Sequence, residues 1–98
     1  MELGKIIGQV VATIKAEQLT VGKLLLVKFI DEHGKPAGKT QVALDTIGAG
    51  EGEWVLVVRG SSARVSINNA TPIDLTVVGI IDTVSSEAGI LYQKNEAS

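Results

Sequence analysis

From Lys5 to Lys15 the chain changes character at almost every residue. Ile6, Gly8, Val10, Ala12 and Ile14 fall on one side, and Lys5, Gln9, Thr13 and Lys15 on the other, interrupted by Ile7 and Val11. A period of two fits an extended strand with one buried face and does not fit a helix, whose apolar residues recur every three to four positions. Lys23–Asp31 repeats the period, with Leu25, Val27 and Phe29 on one side. Its other side carries Leu24, Leu26 and Ile30, so this strand is apolar on both faces and belongs either centrally in a core or at an interface. A third strand is expected over Thr40–Leu44 and a fourth over the continuous apolar run Trp54–Val58. Asp74–Val84 reads as the last long strand, and Gly89–Lys94 adds a short terminal one after a Ser85–Ala88 turn, which closes a hairpin.

The segments between these runs are turn material. Asp31–Gly38 holds two glycines and a proline, and Asp45–Glu53 holds three glycines at alternate positions. In Gly60-Ser61-Ser62-Ala63-Arg64 a serine is placed to cap one short helical turn, and Asn68–Pro72 is a loop, the glycosylation-like triplet Asn69-Ala70-Thr71 included. Five or six closely spaced strands with at most one short helix predict an all-β chain: a small closed or nearly closed barrel with a terminal hairpin, not a parallel sheet.

Ninety-eight residues fit one domain, 1–98. Phe29, Trp54 and Tyr92 are its only aromatics, so the core must be built from Val, Ile and Leu. A domain of this size buries only about two-thirds of its unfolded surface. An apolar fraction of 45% then leaves two outcomes, a dense core or apolar surface reserved for partner subunits. A net charge of −2 gives no electrostatic case for nucleic acid or an anionic membrane. Without cysteine there are no disulfides, no thiol chemistry and few routes to structural zinc. The first residues lack signal-peptide form and no apolar run approaches the roughly 20 residues that span a bilayer, so the expected location is the cytoplasm.

The residues that chemistry could use are few. His33 lies in a polar turn beside Asp31 and Glu32, where it is expected to be a solvated turn residue and not a base or metal ligand. Ser61 and Ser62 lack the strained G-x-S-x-G elbow of a nucleophile. Glu51 and Glu53 are close enough for paired-acid work, but they alternate with glycines beside a strand. Gly48-x-Gly50-x-Gly52 has the look of a phosphate loop. It has neither the G-x-G-x-x-G spacing nor a G-K-[ST] ending, and a strand follows it where a phosphate needs a helix N-terminus. The expected role is a tight turn in which glycine supplies positive φ or close backbone approach, including approach of several chains to an axis. No catalytic residue, metal or cofactor is assigned. A monomeric oligonucleotide-binding-type module, binding a small ligand or an oligonucleotide, is the alternative. It would need exposed aromatics over a basic groove, which three aromatics and nine basic against eleven acidic residues hardly supply.

Two stretches together resemble a known signature. Asp45-Thr46-Ile47-Gly48-Ala49-Gly50-Glu51-Gly52-Glu53-Trp54-Val55-Leu56-Val57 followed by Gly60-Ser61-Ser62-Ala63-Arg64 is similar to that of the EutN/CcmL family, the pentameric vertex proteins of bacterial microcompartment shells. Gly8–Thr13, Gly22–Val27 and Asp74–Asp82 resemble the family's first, second and last long strands. The resemblance implies a five-stranded barrel related to the oligonucleotide-binding fold and a homopentamer. It implies a place at the corners of a shell built mostly of hexameric proteins, inside the cytoplasm, and a structural role without catalysis. On this reading Gly48, Ala49 and Gly50 approach the five-fold axis with Glu51 or Glu53 nearby. Arg64 makes an inter-subunit or loop-bracing contact, and Ser61 and Ser62 support its turn.

Overall fold

In a computed structural model the chain is described over residues 1–11, 23–60 and 74–94. Seven strands occupy them: β1 (Glu2–Val10), β2 (Lys23–Ile30), β3 (Pro36–Asp45), β4 (Trp54–Arg59), β5 (Leu75–Ile80), β6 (Thr83–Ser86) and β7 (Gly89–Gln93). Among the described residues there is no helix; the helical turn expected around Ser61 and Ser62 falls outside them. The first five strands close into a barrel in the order β1-β2-β3-β5-β4, and β4 pairs back onto β1. Among the described strands only β3 and β5 run parallel, through Leu44↔Thr76 and Asp45↔Val77. Closure gives each of the five strands a neighbour on both sides, although β3 meets β5 only at these two positions. This is the all-β barrel with a terminal hairpin that the periodicity predicts.

Three boundaries differ from the sequence reading, each for a structural reason. β3 begins at Pro36, not Thr40, because β2 continues to pair with it as far as Ile30↔Pro36. Proline is tolerated as the first residue of a strand, where no ladder donor is missed. β1 starts at Glu2, whose partner is Val57 on β4, and runs to Val10, while Ala12–Lys15 of the expected strand lie outside the described residues. The single long strand expected over Asp74–Val84 is two strands. At Ile81 the chain leaves the barrel, its amide donating to the Trp54 carbonyl at 2.9 Å, and from Thr83 it pairs with β7.

The β2–β3 connection explains the polar turn. The Gly34 amide donates to the Asp31 carbonyl and the Asp31 amide to the Lys35 carbonyl, both at 2.9 Å. The Asp31 carboxylate accepts the amides of His33 and Lys35. Gly34 sits at φ 84° with Trp54 beside it, where a Cβ would stand 2.6 Å from the indole. His33 is an exposed turn residue, 3.9 Å from Glu32.

The described residues form two apolar clusters. The barrel interior is aliphatic apart from Phe29: Ile6, Leu25, Val27, Ala43, Val55, Val57, Leu75 and Val77 are all nearly solvent-free. A second cluster, Ile30, Trp54 and Ile81 with Leu3, Leu56, Val84 and Tyr92 against it, lies where the β6–β7 hairpin covers the outside of the barrel. Trp54 and Tyr92 stack at 3.9 Å between ring centres, 12° from parallel. The unbroken apolar run of β4 follows from this arrangement. Val55 and Val57 point into the barrel, while Trp54 and Leu56 face the hairpin.

Candidate functional site

The segment from Asp45 to Glu53 links β3 to β4 and is fixed at nearly every residue. Asp45 ends β3 and is buried; its Oδ1 accepts the amides of Ile47 and Gly48, each at 3.1 Å. This is the local turn that Asp favours by bonding its own backbone two and three residues on. Its other oxygen, Oδ2, is buried and has no hydrogen-bond partner among the described residues. Gly48 and Gly52 take φ of 82° and 90°, which glycine adopts without penalty. Between them Ala49 turns inward and joins the barrel core. Farther along, the Glu53 amide donates to the Gly50 carbonyl at 3.2 Å, and the Gly52 amide to the Ile6 carbonyl of β1 at 2.8 Å.

Glu53 braces this loop from both ends. Its carboxylate accepts the Gly50 amide and, at 2.8 Å, the Nζ of Lys94, which follows β7. The Lys94 hydrogen bond, and then the Gly50 amide, hold the Glu53 carboxyl below its usual range; Glu53 in turn raises Lys94. Glu51, two residues away, is exposed. The two acids therefore have unlike surroundings, one tied to the hairpin and one facing solvent, and they do not share a pocket. Among the described residues no group of three or more His, Asp or Glu could hold a metal.

Gly50 differs from its neighbours. It lacks a positive φ, and a Cβ there would meet only the Glu53 carboxylate, at an ordinary 3.5 Å. No described residue of the subunit requires glycine at this position. Beside the loop lies a cleft of about 250 Å³ lined by Ile6, Gly8, Gln9, Lys23, Leu25, Ala49, Gly50 and Glu51. Gly8, with open space where its side chain would be, and Gly79, whose Cβ would meet Leu56 at an ordinary 3.6 Å, are like Gly50 in this.

The far rim of the barrel carries a brace that the sequence did not suggest. Arg59, at the end of β4, donates from Nε to Glu2 at 2.7 Å and from a terminal nitrogen to Gln41 on β3 at 3.3 Å, with its guanidinium 5.1 Å over the Phe29 ring. One side chain thus gathers all of β1, β2, β3 and β4, and its hydrogen bond draws the Glu2 carboxyl down. No local pattern marks Arg59, because its partners come from distant parts of the chain. Asp45 was more legible, as an Asp opening a glycine-rich turn. Ser61, Ser62 and Arg64 lie outside the described residues.

The aromatic residues bear on the alternative reading. Phe29 and Trp54 are buried, and Tyr92 is half-buried under its stack on Trp54. None offers the open face on which a base could stack.

Comparison with known proteins decides between the readings. Residues 1–82 match the family model described as ethanolamine utilisation protein EutN/carboxysome. The chain belongs to the EutN/CcmL family. It is 52% identical over 97 residues to the carboxysome shell vertex protein CcmL of Synechocystis sp., covering 98% of this chain and 97% of that one. It superposes on the crystal structure of the ethanolamine utilization protein EutN from Escherichia coli with a TM-score of 0.82 and 47% identity, over 96% of this chain and 99% of that one. GrpN from Rhodospirillum rubrum, a pentameric microcompartment shell protein, matches with a TM-score of 0.76 and 53% identity, over 88% and 99% of the two chains.

Proposed function

We propose that this chain is a structural, non-enzymatic protein of a bacterial microcompartment shell, a single domain over 1–98 that assembles as a homopentamer at the shell vertices. A flat lattice of hexagonal tiles cannot close; pentagons supply the curvature, and hexameric shell proteins are the neighbours this role requires. The location follows from the role, within the shell in the cytoplasm. Family membership supports the structural role, and the named pentameric relative supports the ring.

The observation that carries the ring is Gly50. Gly48 and Gly52 have conformational reasons to be glycine, and Gly50 has none among the described residues of its own subunit. A side chain excluded by nothing inside is excluded by something outside, and a second copy of the same loop at a five-fold axis meets that demand. Gly48, Ala49 and Gly50 then stand nearest the axis. With Glu53 engaged by Lys94, Glu51 is the acid left to face the opening; five copies make a ring of negative charge that favours cations and neutral solutes over anions. Arg64, with Ser61 and Ser62 supporting its turn, is assigned an inter-subunit or loop-bracing contact on sequence grounds alone. Native mass spectrometry tests the ring directly. A species at five times 10.2 kDa is expected, and a monomer at every concentration overturns the proposal.

A further inference from the structure

We propose that the cleft beside the glycine-rich loop is a binding site for a small zwitterion, an α-amino acid with an aliphatic side chain. The site belongs to a single subunit and does not depend on the ring proposed above.

The cleft opens at one mouth of the barrel. The end of β1 and the start of β2 form one wall, where Gln9 pairs with Leu25. The glycine-rich loop forms the other. It is fixed there by the Gly52 amide on the Ile6 carbonyl and by Ala49 in the core. The floor between the walls is Ile6, Leu25 and Ala49, each about 1% exposed. Gly8 keeps the floor open: a Cβ there would meet nothing within 4 Å, so even a small side chain would stand in the cleft. At about 250 Å³ the cleft falls below the roughly 300–1,000 Å³ that take drug-sized ligands. It fits a molecule of a few carbons and not an oligonucleotide.

The rim sets the chemistry of the ligand. It carries one cation, Lys23, one anion, Glu51, and the amide of Gln9, all exposed. The two charges line one cleft, yet neither forms an ion pair with the other or with any described residue. The groups that could have neutralised them are engaged elsewhere. Asp45, the ladder partner of Lys23, gives its Oδ1 to the amides of Ile47 and Gly48, and Lys94 bonds to Glu53. Opposite charges held apart over an apolar floor complement a ligand that carries both charges on one carbon with an aliphatic chain beside them. The ligand carboxylate meets Lys23, its ammonium meets Glu51, and its side chain covers the floor. Both rim contacts are charge-assisted hydrogen bonds, the stronger kind, and covering the floor removes apolar surface from water. A fatty acid or an alkylamine satisfies only one of the two rim charges.

NMR titration of the isotope-labelled chain tests the site with three probes that share one branched hydrocarbon end. L-Leucine carries both charges, 4-methylpentanoate lacks the ammonium, and 3-methylbutylamine lacks the carboxylate. Leucine is expected to shift the amides of Gly8, Gln9 and Gly50 saturably, and to bind about tenfold or more tighter than either half-ligand. Glycine, with both charges and no side chain, is expected to bind more weakly than leucine. Lys23→Gln should bring leucine down to the affinity of the amine, and Glu51→Gln to that of the acid. Both changes lie on the exposed rim, and an unchanged circular dichroism spectrum checks that the barrel is intact. Leucine that shifts none of these amides, binds no tighter than the half-ligands, or binds both variants as well as the parent overturns the site. A pentameric chain that fails this test keeps the vertex role, and a monomeric chain that passes it keeps the site and loses the ring.

Discussion

Glu53 shows how one side chain ties a loop to a distant element. Its carboxylate holds the Gly50 amide within the turn and Lys94 beyond the terminal hairpin. These bonds favour the ionised acid, so its pKa is lowered in the folded state. Such a group contributes stability that is fully present above the unfolded carboxylate value, about 4.3, and is lost as pH falls through the lower folded value. Lys94 has the opposite sign: raised by Glu53, it contributes below the unfolded lysine value of about 10.4 and loses that contribution as pH rises through its folded value. Glu53→Gln is therefore expected to lower the thermal midpoint at pH 7. The gap from the parent chain should close as pH is taken down through the folded carboxyl value, in melts followed by circular dichroism. A gap that stays constant with pH would mean that Glu53 acts through packing and not through its charge.

At the scale of elements, the β6–β7 hairpin is attached to the barrel chiefly by its aromatic contact. Tyr92 lies parallel on Trp54, and Val84 joins it over Ile30 and Ile81. Tyr92→Ala removes the stack and uncovers the indole, with an expected loss of about 1–3 kcal/mol in urea unfolding. Tyr92→Phe keeps the ring and is expected to lose less than about 0.5 kcal/mol. Equal losses would locate the contribution in the hydroxyl. The hairpin also accounts for what the sequence left ambiguous. Trp54 and Leu56 alternate with Val55 and Val57, but all four read as apolar because both faces of β4 are covered, one by the barrel interior and the other by β6 and β7. The same covering broke the expected Asp74–Val84 strand at Ile81, whose burial against Trp54 belongs to neither sheet.

For the whole molecule, the proposed ring turns on Gly50, which no described residue of its own subunit requires to be glycine. Gly50→Leu places its Cβ in ordinary contact with Glu53 and imposes no backbone strain, so the subunit is expected to fold and melt within a few degrees of the parent. If five loops converge, the same change leaves no room for the neighbouring copies, and native mass spectrometry should find the pentamer lost or greatly weakened. A full pentamer would move the axis away from this loop. The contrast with Gly34 makes the test specific. There φ is 84° and the indole of Trp54 stands 2.6 Å from a Cβ, so an alanine strains the fold of the subunit itself.

Much of this protein was written locally. The period of two, the turn residues and the scarcity of aromatics determined an all-β chain with an aliphatic core, because strand alternation and turn chemistry are properties of neighbouring residues. The paired glycine-rich and Gly-Ser-Ser-Ala-Arg motifs determined the family. Only the tertiary structure decided which strands meet, since register depends on partners far apart in the chain. It decided that Arg59 gathers four strands, and that Glu53 answers to Lys94 while Glu51 faces solvent. It also separated three alternating glycines that look alike in sequence: Gly48 and Gly52 take a positive φ that glycine accepts freely, and Gly50 does not.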